Sequence, residues 1–146
     1  MHSGNPTTLI SFEESCWTPR AIEAISTAKA LATPGAITAT DLLRAMEVGD
    51  HLASRVLKQL EICPSAAFGQ RSPVSLSQGV PLYYEDFDYA LRQYFPRLAF
   101  EEAKAMDSLY CGAEHILLCI AQIGVAGLEL PYEQIRQRIL EVRKSA

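Results

Sequence analysis

Between positions 21 and 32 the apolar residues Ala21, Ile22, Ala24, Ile25, Ala28, Leu31 and Ala32 return every three or four residues, the period of an amphipathic helix. Thr18-Pro19 stands just ahead as an N-cap and a first-turn proline, whose missing N–H costs nothing there, and Pro34-Gly35 ends the run. A second helix is predicted after Thr38, with Asp41 three residues on as a capping-box variant and Leu42, Leu43 and Met46 on its apolar side. Gly49-Asp50 breaks it. Leu52, Ala53, Val56, Leu57 and Leu60 mark a third helix, closed by Cys63-Pro64. Helical pattern returns at about Glu85 and runs through Phe87, Ala90, Leu91, Tyr94, Phe95, Leu98, Ala99, Ala103 and Met106. Pro96 interrupts it, so a kink or two helices are expected there. A helix over 113–123, a short one over 125–130 and a last one from Tyr132 to about Lys144 complete the prediction. No stretch alternates with a strand's period, so the fold class is all-α.

The run Tyr110-Cys111-Gly112-Ala113-Glu114-His115-Ile116-Leu117-Leu118 has a degraded copy at Ile37-Thr38-Ala39-Thr40-Asp41-Leu42-Leu43, with Glu114 and Thr40 separated by 74 positions. Two copies of one helical unit account for the chain. They predict a compact bundle of seven or eight helices related by a pseudo-twofold axis. Each copy needs the other to bury its apolar face, so residues 16–146 form a single domain. Repeat one spans 16–63, a linker rich in Pro, Ser and Gly spans 64–82 with at most one helical turn near 66–68, and repeat two spans 83–146. Residues 1–15 read as a flexible leader. No space is left for a catalytic domain, which points to binding.

Composition narrows the partner class. With 146 residues, 49% of them hydrophobic, the chain has an ordinary globular make-up. Its 13 basic against 17 acidic residues give a net charge of −4, which argues against nucleic acid. The nearest thing to a basic cluster, Arg136, Arg138, Arg143 and Lys144, lies on the last helix, where its dipole favours cations. No apolar run reaches the ~18 residues of a membrane span, and the N-terminus lacks a signal peptide's pattern. A cytoplasmic location follows, with Cys16, Cys63, Cys111 and Cys119 read as small buried hydrophobes.

The residues resemble a known family. Trp17-Thr18-Pro19-Arg20-Ala21 is similar to the opening of the N-terminal repeat domain of Clp ATPases, the AAA+ unfoldases and disaggregases. Ala53-Ser54-Arg55-Val56-Leu57-Lys58-Gln59-Leu60 resembles that family's third helix, and Glu101-Glu102-Ala103, Tyr110 to Leu118 and Gly124-Val125-Ala126 fall at its spacing. The resemblance covers roughly residues 16–143. It implies a non-catalytic module that docks adaptors, substrates or Clp subunits for Clp-type proteolysis or chaperone work. Met1 and the leader favour a free-standing accessory protein over the N-terminal segment of a longer ATPase.

The chain also departs from the family. Thr38-Ala39-Thr40-Asp41 stands where the family has Gly-Thr-Glu-His, the fourth helix is shortened or lost, and the loop before Ile37 is about three residues short. No phosphate loop of the Gly-x-x-x-x-Gly-Lys-Ser/Thr type exists, so ATP hydrolysis is not expected of this chain alone.

The candidate site residues are Glu114, Ala113, Gly112, Thr40, Asp41 and Thr18. Glu114 has two readings: helix-start electrostatics, or a ligand contact. The resemblance implies the second, since in some Clp N-terminal domains the matching glutamates hold the guanidinium of phosphoarginine while helix N–H groups offer sites for its phosphate. Only Glu114 keeps that identity, with Thr40 and Asp41 standing in the first copy. A sensor for phosphoarginine or a similar small ligand is therefore the alternative function. Cys111, His115 and Cys119 form an i, i+4, i+8 stripe, but Gly112 at the helix start removes Cys111 from it and structural zinc takes four ligands, so neither metal nor cofactor is expected. No nucleophile or acid–base pair assembles, so no enzyme is expected. His51 reads as a solvated turn residue. Trp17, Tyr83, Tyr84, Tyr89, Tyr94 and Phe95 read as packing residues, with Tyr83 and Tyr84 the most exposed, and Glu85, Asp86 and Asp88 as a helix start.

Overall fold

The computed structural model describes residues 17–33, 35–69 and 86–145. Among them are eight helices and no strand: α1 Pro19–Ala32, α2 Ala39–Val48, α3 Leu52–Gln59, α4 Pro64–Phe68, α5 Tyr89–Arg92, α6 Arg97–Ala105, α7 Ala113–Ile123 and α8 Tyr132–Ser145. The core gathers around α7, which is buried at Ala113 and from His115 to Ile120 and packs on α1, α2, α3, α6 and α8. Alanines at 21, 24, 28 and 32 bring α1 close to α2, its main neighbour.

Each helix starts as its sequence dictates. Thr18 accepts from the Ala21 N–H at 3.1 Å, with Pro19 in the first turn. Thr38 and Asp41 form the expected capping box, the carboxylate taking the Thr38 N–H at 3.0 Å and Thr38 Oγ1 the Asp41 N–H at 3.2 Å. Proline 96 has no N–H to continue the ladder, and the run from Tyr89 splits into α5 and α6 on either side of it. Pro64 opens α4 instead of only closing α3. That short helix is held on α2 at both ends: Glu47 accepts from the Ser65 N–H at 3.0 Å, and Arg44 donates to the Phe68 carbonyl at 2.7 Å. A carboxylate at the amino end and a guanidinium at the carboxyl end both suit the helix dipole.

The two halves are joined by a crossed pair of parallel bridges, Trp17 with Cys111 and Ile37 with Phe87. Exchanging the halves maps Trp17 onto Phe87 and Cys111 onto Ile37, so each bridge becomes the other. Their hydrogen bonds follow, Thr18 N–H to Cys111 O at 3.0 Å and Asp88 N–H to Ile37 O at 2.9 Å. The aromatic rings of Phe87, Phe95, Trp17 and Phe100 form a chain across this junction, with centroids 5.0, 5.8 and 4.9 Å apart. This is the pseudo-twofold all-α bundle that the repeat predicts.

Four expectations are corrected. The short helix over 125–130 is a turn in which Val125 and Leu128 pair, because Gly124 and Gly127 adopt φ of 80° and 89°, outside helical space. The second copy thus has no counterpart of α3 among the described residues. His51 is buried and caps α3 through Nδ1, rather than lying solvated in a turn. Tyr89 and Tyr94 are exposed, not core, while Trp17 and Phe95 are fully buried. Cys63 is exposed, whereas Cys111 and Cys119 are buried. Pro34, Cys16, Tyr83, Tyr84 and Glu85, with the whole expected leader and most of the expected linker, lie outside the described residues.

Candidate binding site at the paired helix starts

The crossed bridges bring helix starts together in pairs, α1 with α7 and α2 with α5. At the first pair Gly112 is the N-cap of α7 and has no side chain to cap with. The reciprocal half of the cap is made by His115, whose Nδ1 accepts the Gly112 N–H at 2.8 Å. The imidazole is fully buried, and burial first, then the charge of Arg143, pushes its pKa down to about 4. It is a neutral capping group, with its proton on Nε2. Glu114 lies in the same turn, and its carboxylate folds over Gly112, where a Cβ would run into it. Among the described residues that carboxylate has neither a hydrogen bond nor an ion pair. Its charge, after burial, also helps to push the Cys111 thiol upward.

Beside this turn lies an open groove of about 290 Å³, lined by Trp17, Thr18, Pro19 and Tyr110. Trp17 is fully buried, and Phe100 packs on its ring. Thus Thr18, Gly112, Ala113 and Glu114, drawn from both ends of the sequence, meet in one place. Ala113 is buried and contributes backbone only.

Thr40 and Asp41 are placed at the pseudo-equivalent pair, α2 with α5, where the chemistry differs. Asp41 is 3% exposed and fully engaged: besides its backbone bond it accepts from Thr38 Oγ1 at 3.0 Å and pairs with Arg44 at 3.4 Å. Asp88 is spent on capping Leu91 at 2.8 Å, and Asp86 pairs with Lys29 at 3.0 Å.

The structure also assembles groups that the sequence reading did not single out. Tyr110 forms one wall of the groove, and Pro19 part of its lip. Glu102 is 3% exposed on α6 and accepts from Tyr132 Oη at 2.8 and 2.7 Å and from Gln122 Nε2. The signal was present: Glu102 shares a helical face with Ala99, Ala103 and Met106, and a carboxylate within an apolar stripe needs donors. Burial and Glu102 together raise the Tyr132 hydroxyl to about 12. No three His, Cys, Asp or Glu side chains among the described residues gather closely enough to hold a metal ion. Cys111 falls ahead of the N-cap of α7, off the helix that carries His115 and Cys119.

No protein-family model and no curated protein matches the chain. Among solved structures it is similar to the crystal structure of the N-terminal domain of the caseinolytic protease associated chaperone ClpD from Arabidopsis thaliana. The match covers 92% of this chain and 97% of that one, at 18% identity and a TM-score of 0.53. An identity so low speaks for the fold alone, and the fold is that of a Clp N-terminal domain.

Proposed function

We propose that this chain is a non-catalytic docking module of Clp-type ATP-dependent proteolysis or chaperone work, binding adaptors, substrates or Clp subunits. The observation that supports it most is the open groove beside the α1 and α7 starts, set on a Clp N-terminal-like bundle whose pseudo-equivalent starts, α2 and α5, have their carboxylates Asp41 and Asp88 engaged. In this reading Thr18, Gly112, Ala113 and Glu114 form the working end, and Thr40 and Asp41 keep a structural role. The division into leader 1–15, repeat one 16–63, linker 64–82 and repeat two 83–146 belongs to the same reading. So does a reducing, cytoplasmic setting, which suits Cys111 and Cys119 as buried thiols. Nucleic acid does not fit a net charge of −4. Among the described residues no helix is long and apolar enough to cross a membrane.

The test is capture from lysate on the immobilised chain. Recovery of Clp ATPase or protease subunits supports the reading, and recovery of neither overturns it. A second reading, a sensor for phosphoarginine or a similar modified residue, is favoured by the carboxylate of Glu114, which has no hydrogen-bond or ionic partner among the described residues and could take a guanidinium. Calorimetric titration with free phosphoarginine decides it. Heat from the wild type that disappears in Glu114→Ala supports the sensor, and no heat from the wild type removes it.

A further inference from the structure

We propose that His51 and His115 form an acid-operated latch: their neutral imidazoles hold the starts of α3 and α7 shut, and proton uptake opens them. The latch lies outside the docking reading and asks nothing of a partner. Both rings use the same atom for the same bond. His51 is the N-cap of α3, and its Nδ1 accepts the Ser54 N–H at 3.4 Å. His115 sits in the first turn of α7, and its Nδ1 accepts the Gly112 N–H at 2.8 Å. An imidazole accepts at Nδ1 only while that nitrogen carries no proton. An imidazolium would aim an N–H at the N–H it now receives, and would set a cation on the positive end of a helix dipole.

Both rings are packed in. His51 is 6% exposed and lies against Gly49, where a Cβ would run into it. The Ser54 hydroxyl beside it already donates to the Met46 carbonyl at 2.6 Å. Charges of both signs act on this ring: Glu23 of α1 and the adjacent Asp50 favour its protonation, and Arg20 of α1 opposes it. Burial is the largest effect, and the pKa lies below its ordinary value. His115 is 1% exposed, and its Nε2 has no hydrogen-bond partner among the described residues. Burial comes first there too, and the cation Arg143 on α8 adds to it. Glu114, in the same turn, is folded over Gly112. α3 and α7 pack on each other and both on α8, so the two caps guard one layer of the bundle. The starts of α1 and α2 differ, because Thr18 and Thr38 cap the Ala21 and Asp41 amides with hydroxyls that do not titrate between pH 5 and 8.

Amide exchange followed by NMR at pH 7 and pH 5, corrected for the intrinsic effect of pH on exchange, tests the latch. Protection of the Gly112 amide should fall about twentyfold, because the His115 pKa is about 4 in the closed start and an ordinary 6.5 once opened to water. Ser54 should lose protection in the same direction, while Ala21 and Asp41 keep theirs. His51→Asn and His115→Gln place non-titrating acceptors at the same cap positions. With them Ser54 and Gly112, respectively, should hold their protection at pH 5. Unchanged protection at either amide of the wild type, an equal loss at all four amides, or a loss that persists in the two variants overturns the latch. The wild-type comparison of the four amides decides even where a variant folds poorly.

Discussion

The backbone N–H of Thr18 donates to the carbonyl of Cys111 at 3.0 Å, and this bond ties the first helix of one half to the central helix of the other. Its image under exchange of the halves is the bond from Asp88 to Ile37 at 2.9 Å. Both donors are also N-caps, so Thr18→Ala and Asp88→Ala remove equivalent caps and keep the bridging bonds. Each should cost about 1 kcal/mol, and the double variant should cost the sum, because the caps share no partner. Urea unfolding checks this; a difference above about 1 kcal/mol between the two would break the equivalence of the halves.

His115 makes stability depend on acidity. Burial holds its folded pKa at about 4, below the ordinary 6.5, so the unfolded chain takes up this proton more readily. Above about pH 6.5 the residue has no effect. As pH falls from about 6.5 towards 4, stability should drop, by about 3 kcal/mol for this group once fully expressed. NMR titration of the imidazole checks the cause: the His115 ring should keep its neutral-form shifts at pH 5, while a histidine of the unfolded chain is already mostly protonated.

Glu102 is buried with the neutral donors Tyr132 and Gln122, which join α6 to α7 and α8. Tyr132→Phe takes away the hydroxyl and leaves much of the carboxylate unsolvated, at about 2 kcal/mol. Glu102→Leu combined with Tyr132→Phe should be less damaging than the two single losses added together, since no charge is then left stranded. Thermal unfolding of the three variants tests the coupling; simple additivity would count against it.

Thiol chemistry should separate the cysteines. Cys111 and Cys119 are buried, and burial is the main force raising both thiols, the latter to about 12, so little nucleophilic thiolate forms at neutral pH. Cys63 is exposed on the turn ahead of α4. Brief treatment of the native protein with iodoacetamide should label Cys63 and spare Cys111 and Cys119, as read by peptide mass mapping, and denaturant should open both. Rapid native labelling of Cys119 would contradict a packed α7.

Much of the bundle was legible before any coordinates. The capping residues Thr18, Thr38 and Asp41 and the apolar spacing along α1, α2, α3 and α7 are local signals, because a helix start satisfies its N–H groups within three residues of itself. Pro96 announced its break for the same reason. The turn at 125–130 was misread because apolar spacing over six residues does not distinguish one helical turn from a glycine-hinged loop. His51 was misread because burial depends on what packs over it, which position in the chain does not record.

The repeat at Ile37 and Cys111, and with it an all-helical bundle needing both halves for one core, followed from the amino-acid order alone, since periodicity and capping are encoded within a few neighbouring residues. Only the tertiary structure decided which helix starts face each other, and that Trp17 and Tyr110 line one open groove. It alone showed Asp41 sealed by Arg44, and Glu102 held by Tyr132. Those relations join residues as much as 93 positions apart, and their energies depend on distance and burial in space, which separation along the chain leaves undetermined.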